Sequence, residues 1–212
     1  MKKKAIAALS LCLVLALGGF LGYWACKYYC GVNIPEFPDH STYENLEERA
    51  GAALVVAHRN GLNEKYCVFV DYSIPSGTPR MFVWSFEENK VIASTYVMHG
   101  SGRGSTAEKA VFSNKPGSDC SALGRFAITR QHGSRNKGGY YVRGLDFDNQ
   151  TARSRGIMVH SAIWVDLNCW RKYIPLNERS CRGCFTTSSR GMAYLRNLIE
   201  SEGKNIMIWA YC

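Results

Sequence analysis

A chain of 212 residues suffices for one compact domain with a short extension and is too short for two full ones. With 46% hydrophobic and 20% charged residues, 20 Gly and 6 Pro, it is neither collagen-like nor wholly disordered. The 26 Lys and Arg exceed the 17 Asp and Glu, a formal charge of +9, but they are spread without a long block of one sign. Composition therefore argues for no nucleic-acid partner and leaves an anionic surface or polymer open.

Lys2, Lys3 and Lys4 precede a stretch from Ala5 to Cys26 that carries no charged residue until Lys27. Ala16 and Gly18 supply the small residues that a cleaved export signal needs. The same stretch approaches the roughly 20 residues that cross a bilayer as a helix, and Phe20, Tyr23, Trp24, Tyr28 and Tyr29 gather at its far end, as in an uncleaved anchor. Both readings keep the basic end cytoplasmic and place the remainder in the periplasm or cell envelope. Lipidation at Cys26 is disfavoured, because bulky Tyr23 and Trp24 stand where small residues are required. An exported chain meets conditions that permit disulfides, and nine cysteines leave at least one unpaired.

In chain order, residues 31–44 contain Pro35, Pro38, Asp39, Ser41 and Thr42 and read as a linker. Leu46, Ala50, Ala53, Leu54 and Ala57 recur at helical spacing, so a helix is expected over 45–60, with Gly61 as its stop. YCVFVDY (66–72), MFVWSF (81–86) and VIASTYVM (91–98) are β-branched and aromatic, joined by turn sequences, and predict an antiparallel meander. Residues 100–155 are rich in Gly, Ser, Asn and Arg and predict long functional loops around short apolar pieces at 124–129 and 140–144. A strand at 156–160, a helix over 188–203 with a serine cap, and a last strand at 205–211 complete a mainly β architecture with no βαβ alternation.

The chemistry concentrates near the carboxyl end. His160 ends a strand, and Cys169 and the segment SCRGCFTTS follow before a helix. A thiol of pKa about 8.5 is mostly protonated at neutral pH, and a neighbouring imidazole that takes its proton yields a nucleophilic thiolate. Gly183, just before Cys184, admits close backbone approach, and the amides there could donate to an oxyanion.

The segments VMHG (97–100), FSNKPGSDCSALGRFAI (112–128), GIMVHSAIWV (156–165) and RGCFTTSSRGM (182–192) resemble, in order, the L,D-transpeptidase family, specifically its murein L,D-transpeptidase catalytic-domain branch. The resemblance divides the chain into a signal or anchor (1–26), a linker and helix (27–63) and a catalytic domain (64–212). It implies a β-sandwich with a helix before it and another after the catalytic cysteine. By that resemblance Cys184 is the nucleophile, His160 its general base, Gly183 part of the oxyanion site, and Ser161 the residue whose backbone orients the imidazole. Arg182, His99 and Asn114 would contact substrate, a peptidoglycan stem peptide. No metal or organic cofactor is implied. Two departures stand out: Cys181 where the family has Ser or Thr, and Arg182 where it often has His. Cys181 and Cys184 could close as a disulfide, and Arg182 could hold a carboxylate through its forked donors.

Three other readings compete. A thiol–disulfide exchange protein would use CRGC (181–184) before a helix, but lacks the βαβ unit such sites accompany. A zinc site would combine Cys169, Cys181, Cys184 and His160, although only one CxxC is present. A non-catalytic wall-binding module would need only the basic exported β domain.

Overall fold

The computed structural model describes residues 2–29, 31–32, 40–133, 138–177 and 182–212, with side chains omitted at 2–10, 26–29, 40–41 and 43. The expected linker falls largely outside the described residues. The first helix, α1 (Lys2–Tyr29), exposes Leu11, Leu13, Val14, Leu17, Phe20 and Trp24. Among the described residues no helix is long and apolar enough to cross a membrane.

The second helix, α2 (His40–Arg59), begins five residues earlier than the periodicity suggests. Leu46, Ala50, Ala53 and Ala57 are buried as their spacing requires, whereas Leu54 lies at the edge of that stripe and is exposed. Its end is closed by Gly61 at φ +61, with Leu62 N–H donating to Ala57 O and Gly61 N–H to His58 O. That paired pattern favours glycine, which alone enters the left-handed region without strain.

Among the described residues nine strands make one sheet: β1 (Tyr66–Asp71), β2 (Met81–Ser85), β3 (Lys90–Thr95), β4 (Val97–Met98), β5 (Gly124–His132), β6 (Tyr140–Gly144), β7 (Met158–Ser161), β8 (Phe185–Thr187) and β9 (Ile206–Tyr211). Their order is β3-β2-β1-β9-β5-β6-β7-β8-β4, with β1–β9 and β7–β8 parallel and the other pairs antiparallel. The meander of β1, β2 and β3 is present, but the run expected over 91–98 divides at Tyr96. Thr95 ends β3 at one end of the strand order, and Val97 opens β4 at the other. One intervening residue can link opposite ends only if the sheet curls back on itself. The seam is bridged by hydroxyls, with Thr187 Oγ1 donating to Tyr96 O (2.6 Å) and Thr95 Oγ1 lying 3.0 Å from Ser188 Oγ.

Alternation then sorts side chains between two cores. Val68, Val70, Val83, Phe126, Val142, Val159 and Ile208 point inward around α4 (Ser189–Ser201), which contributes Met192, Leu195 and Ile199. Cys67, Phe69, Phe82, Trp84 and Met207 face outward and are covered by α2. Arg49 of α2 stacks over the Tyr211 ring at 3.9 Å. The result is mainly β: one curled, nearly closed sheet with helices packed on both of its faces, rather than two stacked sheets.

Two short elements lack a sequence signal: a 3-10 turn, Phe147–Ala152, and α3 (Ile163–Asn168). Buried Asp166 of α3 accepts from the Ser189 amide (2.9 Å) and the Ser189 hydroxyl, while Ser188 Oγ accepts from Gly191 N–H (3.0 Å). Two acceptors thus cap the start of α4, just downstream of Cys184.

Leu46 is fully buried between α2 and the sheet. Leu46→Ala is expected to lower unfolding stability by about 2–5 kcal/mol, read as a reduced urea midpoint with unchanged slope.

Candidate active site

The pairing of β7 with β8 sets the site. His160 lies opposite Thr186, and Val159 opposite Phe185, in parallel register. Because side chains alternate, His160 and Thr186 share one face. The opposite face takes Val159 and Phe185 into the core. Cys184 lies just outside β8, in the bend that leads into it, where Thr186 N–H donates back to Cys184 O (3.0 Å).

His160 Nδ1 lies 3.1 Å from Ser161 O, and Nε2 lies 3.3 Å from Thr186 Oγ1. A carbonyl oxygen only accepts, so Nδ1 carries the hydrogen and Nε2 presents its lone pair, to which the Thr186 hydroxyl donates. Cys184 Sγ lies 3.9 Å from Gly156 O. No hydrogen bond joins the thiol to the ring in this arrangement: the thiol must turn from Gly156 and displace the Thr186 hydroxyl to reach Nε2.

Burial sets the protonation states. It holds His160 below the ordinary imidazole value, opposed by the Ser161 carbonyl. It pushes the Cys184 thiol up, opposed by the Met158 backbone and the Arg155 guanidinium. Both shifts favour the neutral thiol and neutral imidazole over an ion pair. Cys184 is a free, half-buried thiol, so CRGC is not closed through it, and Cys181 lies outside the described residues. Cys12, Cys67, Cys120 and Cys212 are also free, whereas Cys169 is disulfide-bonded and unavailable as a thiolate ligand. Among the described residues no group of three His, Cys, Asp or Glu could hold a metal ion.

Gly183 has φ +89, and a Cβ there would stand 2.3 Å from Cys120 O and 3.1 Å from an Arg155 guanidinium nitrogen. Glycine is therefore required twice over, by conformation and by space. On the far side of Cys120 opens a polar cavity of about 510 Å³ lined by Ser101, Arg103, Asp119, Cys120 and Arg182, among others. Arg182 is exposed and lines this cavity, which adjoins the nucleophile's turn.

The remaining two expected substrate contacts sit differently. His99 is 2% exposed; its Nδ1 faces Arg80 Nη2 (3.1 Å), and its Nε2–H donates to Thr106 O (2.7 Å). With both nitrogens engaged, it ties the loop after β4 to buried Arg80, and no lone pair faces a ligand. Asn114 accepts through its backbone carbonyl from Thr151 Oγ1 (2.7 Å), and its buried Oδ1 has no partner among the described residues. Thr186 and Arg155 were not singled out from the sequence. Thr186 lies in the short β-branched run just after Cys184, whereas nothing local marks Arg155.

A curled, mainly β sheet thus sets the imidazole of His160 on β7 beside the strand that the Gly183–Cys184 turn enters. The model of the L,D-transpeptidase catalytic domain matches residues 40–211, and the chain belongs to that family. No curated protein and no solved structure matches it.

Gly183→Ala is expected to slow alkylation of Cys184 and lower the Tm while far-UV circular dichroism stays native-like. His99 is also held below the ordinary imidazole value by burial, against its bond to Thr106. A histidine kept neutral in the fold binds its proton more readily when unfolded, so its stabilising contribution is present above about pH 6.5 and fades as pH falls through the folded value. Part of the loss of Tm between pH 7 and 5 should disappear in His99→Gln.

Proposed function

We propose that the protein is an exported cysteine transpeptidase that cleaves the bond between the L-centre of meso-diaminopimelate and terminal D-alanine in a tetrapeptide stem. The observation that carries this reading is the parallel pairing of β7 with β8, which sets His160 opposite Thr186 while the Gly183–Cys184 turn leads directly into β8. Nε2 of His160 takes the Cys184 proton as sulfur attacks the carbonyl carbon. The amides around Gly183 and Cys184 donate to the oxyanion, and collapse of the tetrahedral intermediate breaks the C–N bond. The proton on Nε2 passes to the departing D-alanine nitrogen, leaving a thioester on Cys184. An amine from a second stem then gives a cross-link, and water gives a shortened stem. Ser161 supports the first step by holding Nδ1–H, and Arg182 at the cavity supplies a forked donor for a stem carboxylate. The basic amino-terminal residues and the uncharged run to Cys26 support export to the envelope. Cell fractionation tests that part separately.

Mass spectrometry of the protein incubated with a tetrapeptide stem should find an adduct on Cys184 lighter than the intact stem by D-alanine. Cys184→Ala should form none, and His160→Ala should acylate at least about 100-fold more slowly. An adduct on another residue, or none, overturns the assignment. Cys181→Ser should retain acylation, whereas a thiol–disulfide exchange protein would lose its activity. Since the base must be unprotonated and burial holds His160 below about 6.5, the acid limb of kcat/KM should lie below pH 6.5. A limb above pH 7 would contradict a neutral buried imidazole.

A further inference from the structure

Arg155 stands five residues before His160, behind the turn that carries Cys184. Its Nη1 donates to Ser113 O (2.8 Å), and its Nη2 donates to Cys120 O (2.7 Å) and lies 3.3 Å from Ser118 Oγ. One planar fork thus gathers the loop 113–120 onto the segment that leads into β7. The same Nη2 lies 3.1 Å from where a Gly183 Cβ would be, so the guanidinium packs directly on the residue preceding the nucleophile. Gly156, the next residue along, turns at φ +70 and offers its carbonyl to Cys184 Sγ at 3.9 Å. The dipeptide 155–156 therefore meets the nucleophile's turn with a cation and a hydrogen-bond acceptor.

We propose that Arg155 is a positioning residue for acyl transfer, fixing the Gly183–Cys184 turn against the Cys120 carbonyl and supplying the permanent positive charge that stabilises the Cys184 thiolate. This extends the reading of Cys184 as nucleophile and rests on it. The guanidinium suits the task because it stays charged and its fork reaches two carbonyls at once, which an ammonium does not. Burial lowers its pKa from a high starting value, opposed by Cys120, Cys184 and Asp119 nearby. Near Cys184 the other titratable groups are His160 on β7, whose pKa burial lowers, and Arg182 at the adjoining cavity. While the imidazole is neutral it offers the sulfur no positive charge, and Arg155 supplies a cation that is present before the proton moves. An opposite charge within about 4–6 Å typically lowers an acid's pKa by about 1–3 units.

The test is the pH dependence of Cys184 alkylation by iodoacetamide, resolved by peptide mass spectrometry so that the other free thiols are scored separately. Arg155→Met should raise the apparent thiol pKa by about 1 unit or more and slow alkylation at pH 7 about tenfold. Arg155→Lys, which restores charge without the fork, should return the pKa towards wild type yet leave stem-peptide acylation slower. Asp119 sits at φ +53, where Asn is well tolerated, so Asp119→Asn gives a second variant independent of the fork. Removing that carboxylate leaves the cation less compensated, and the Cys184 pKa should fall. An unchanged alkylation profile in folded Arg155→Met overturns the proposal; should that variant not fold, an unchanged profile in Asp119→Asn does so. Alkylation reads the thiol whether or not a stem peptide reacts. A protein with the expected pKa shift but no stem adduct would refute the substrate and leave the coupling of Arg155 to Cys184 standing.

Discussion

The parallel register of β7 on β8 is the constraint on which the site depends. It sets His160 opposite Thr186, and the turn that carries Cys184 runs straight into β8. A slip of one residue would set His160 opposite a neighbour of Thr186 and take its ring away from that hydroxyl. The register is held from both sides. Phe185 packs edge-on against Phe126 at 5.5 Å between centroids, and Asp166 fastens the start of α4 just downstream.

Within that frame the electrostatics are balanced rather than strongly poised. Burial disfavours charge on both members of the pair, so the resting site is a neutral thiol beside a neutral imidazole. The tautomer follows from the Ser161 carbonyl, which fixes the hydrogen on Nδ1 and turns the basic nitrogen towards β8. On the proposed reading, proton transfer and attack on a carbonyl occur together, and the nearby guanidinium and the donors to the developing oxyanion offset the cost of charge separation.

The helices and strands with a clear repeat were legible. Leu46, Ala50, Ala53 and Ala57 marked the buried stripe of α2, and Met192, Leu195 and Ile199 that of α4, because helical burial is a local pattern. The break at Tyr96 was not, since VIASTYVM is uniformly strand-like and only pairing partners reveal that it serves both ends of the sheet. α3 and the 3-10 turn over Phe147–Ala152 are too short to show a period. His99 read as a cleft residue beside a glycine, but a histidine's type does not disclose burial. Its contacts come from Arg80 and Thr106, and Arg80 lies in the distant connection just before β2.

From residue types and spacing alone came the strand-rich class, the two amphipathic helices, and the candidate thiol, base and glycine. All are properties of neighbouring residues, which a linear pattern records. Tertiary structure alone decided that β9 enters between β1 and β5, that the sheet curls to bring β4 beside β8, and that His160 lies opposite Thr186, next to the turn of Cys184. It also decided that Arg155 reaches Ser113, Cys120 and Gly183. These contacts join segments far apart in the chain, and their geometry comes from strand register and close packing, which no local repeat encodes.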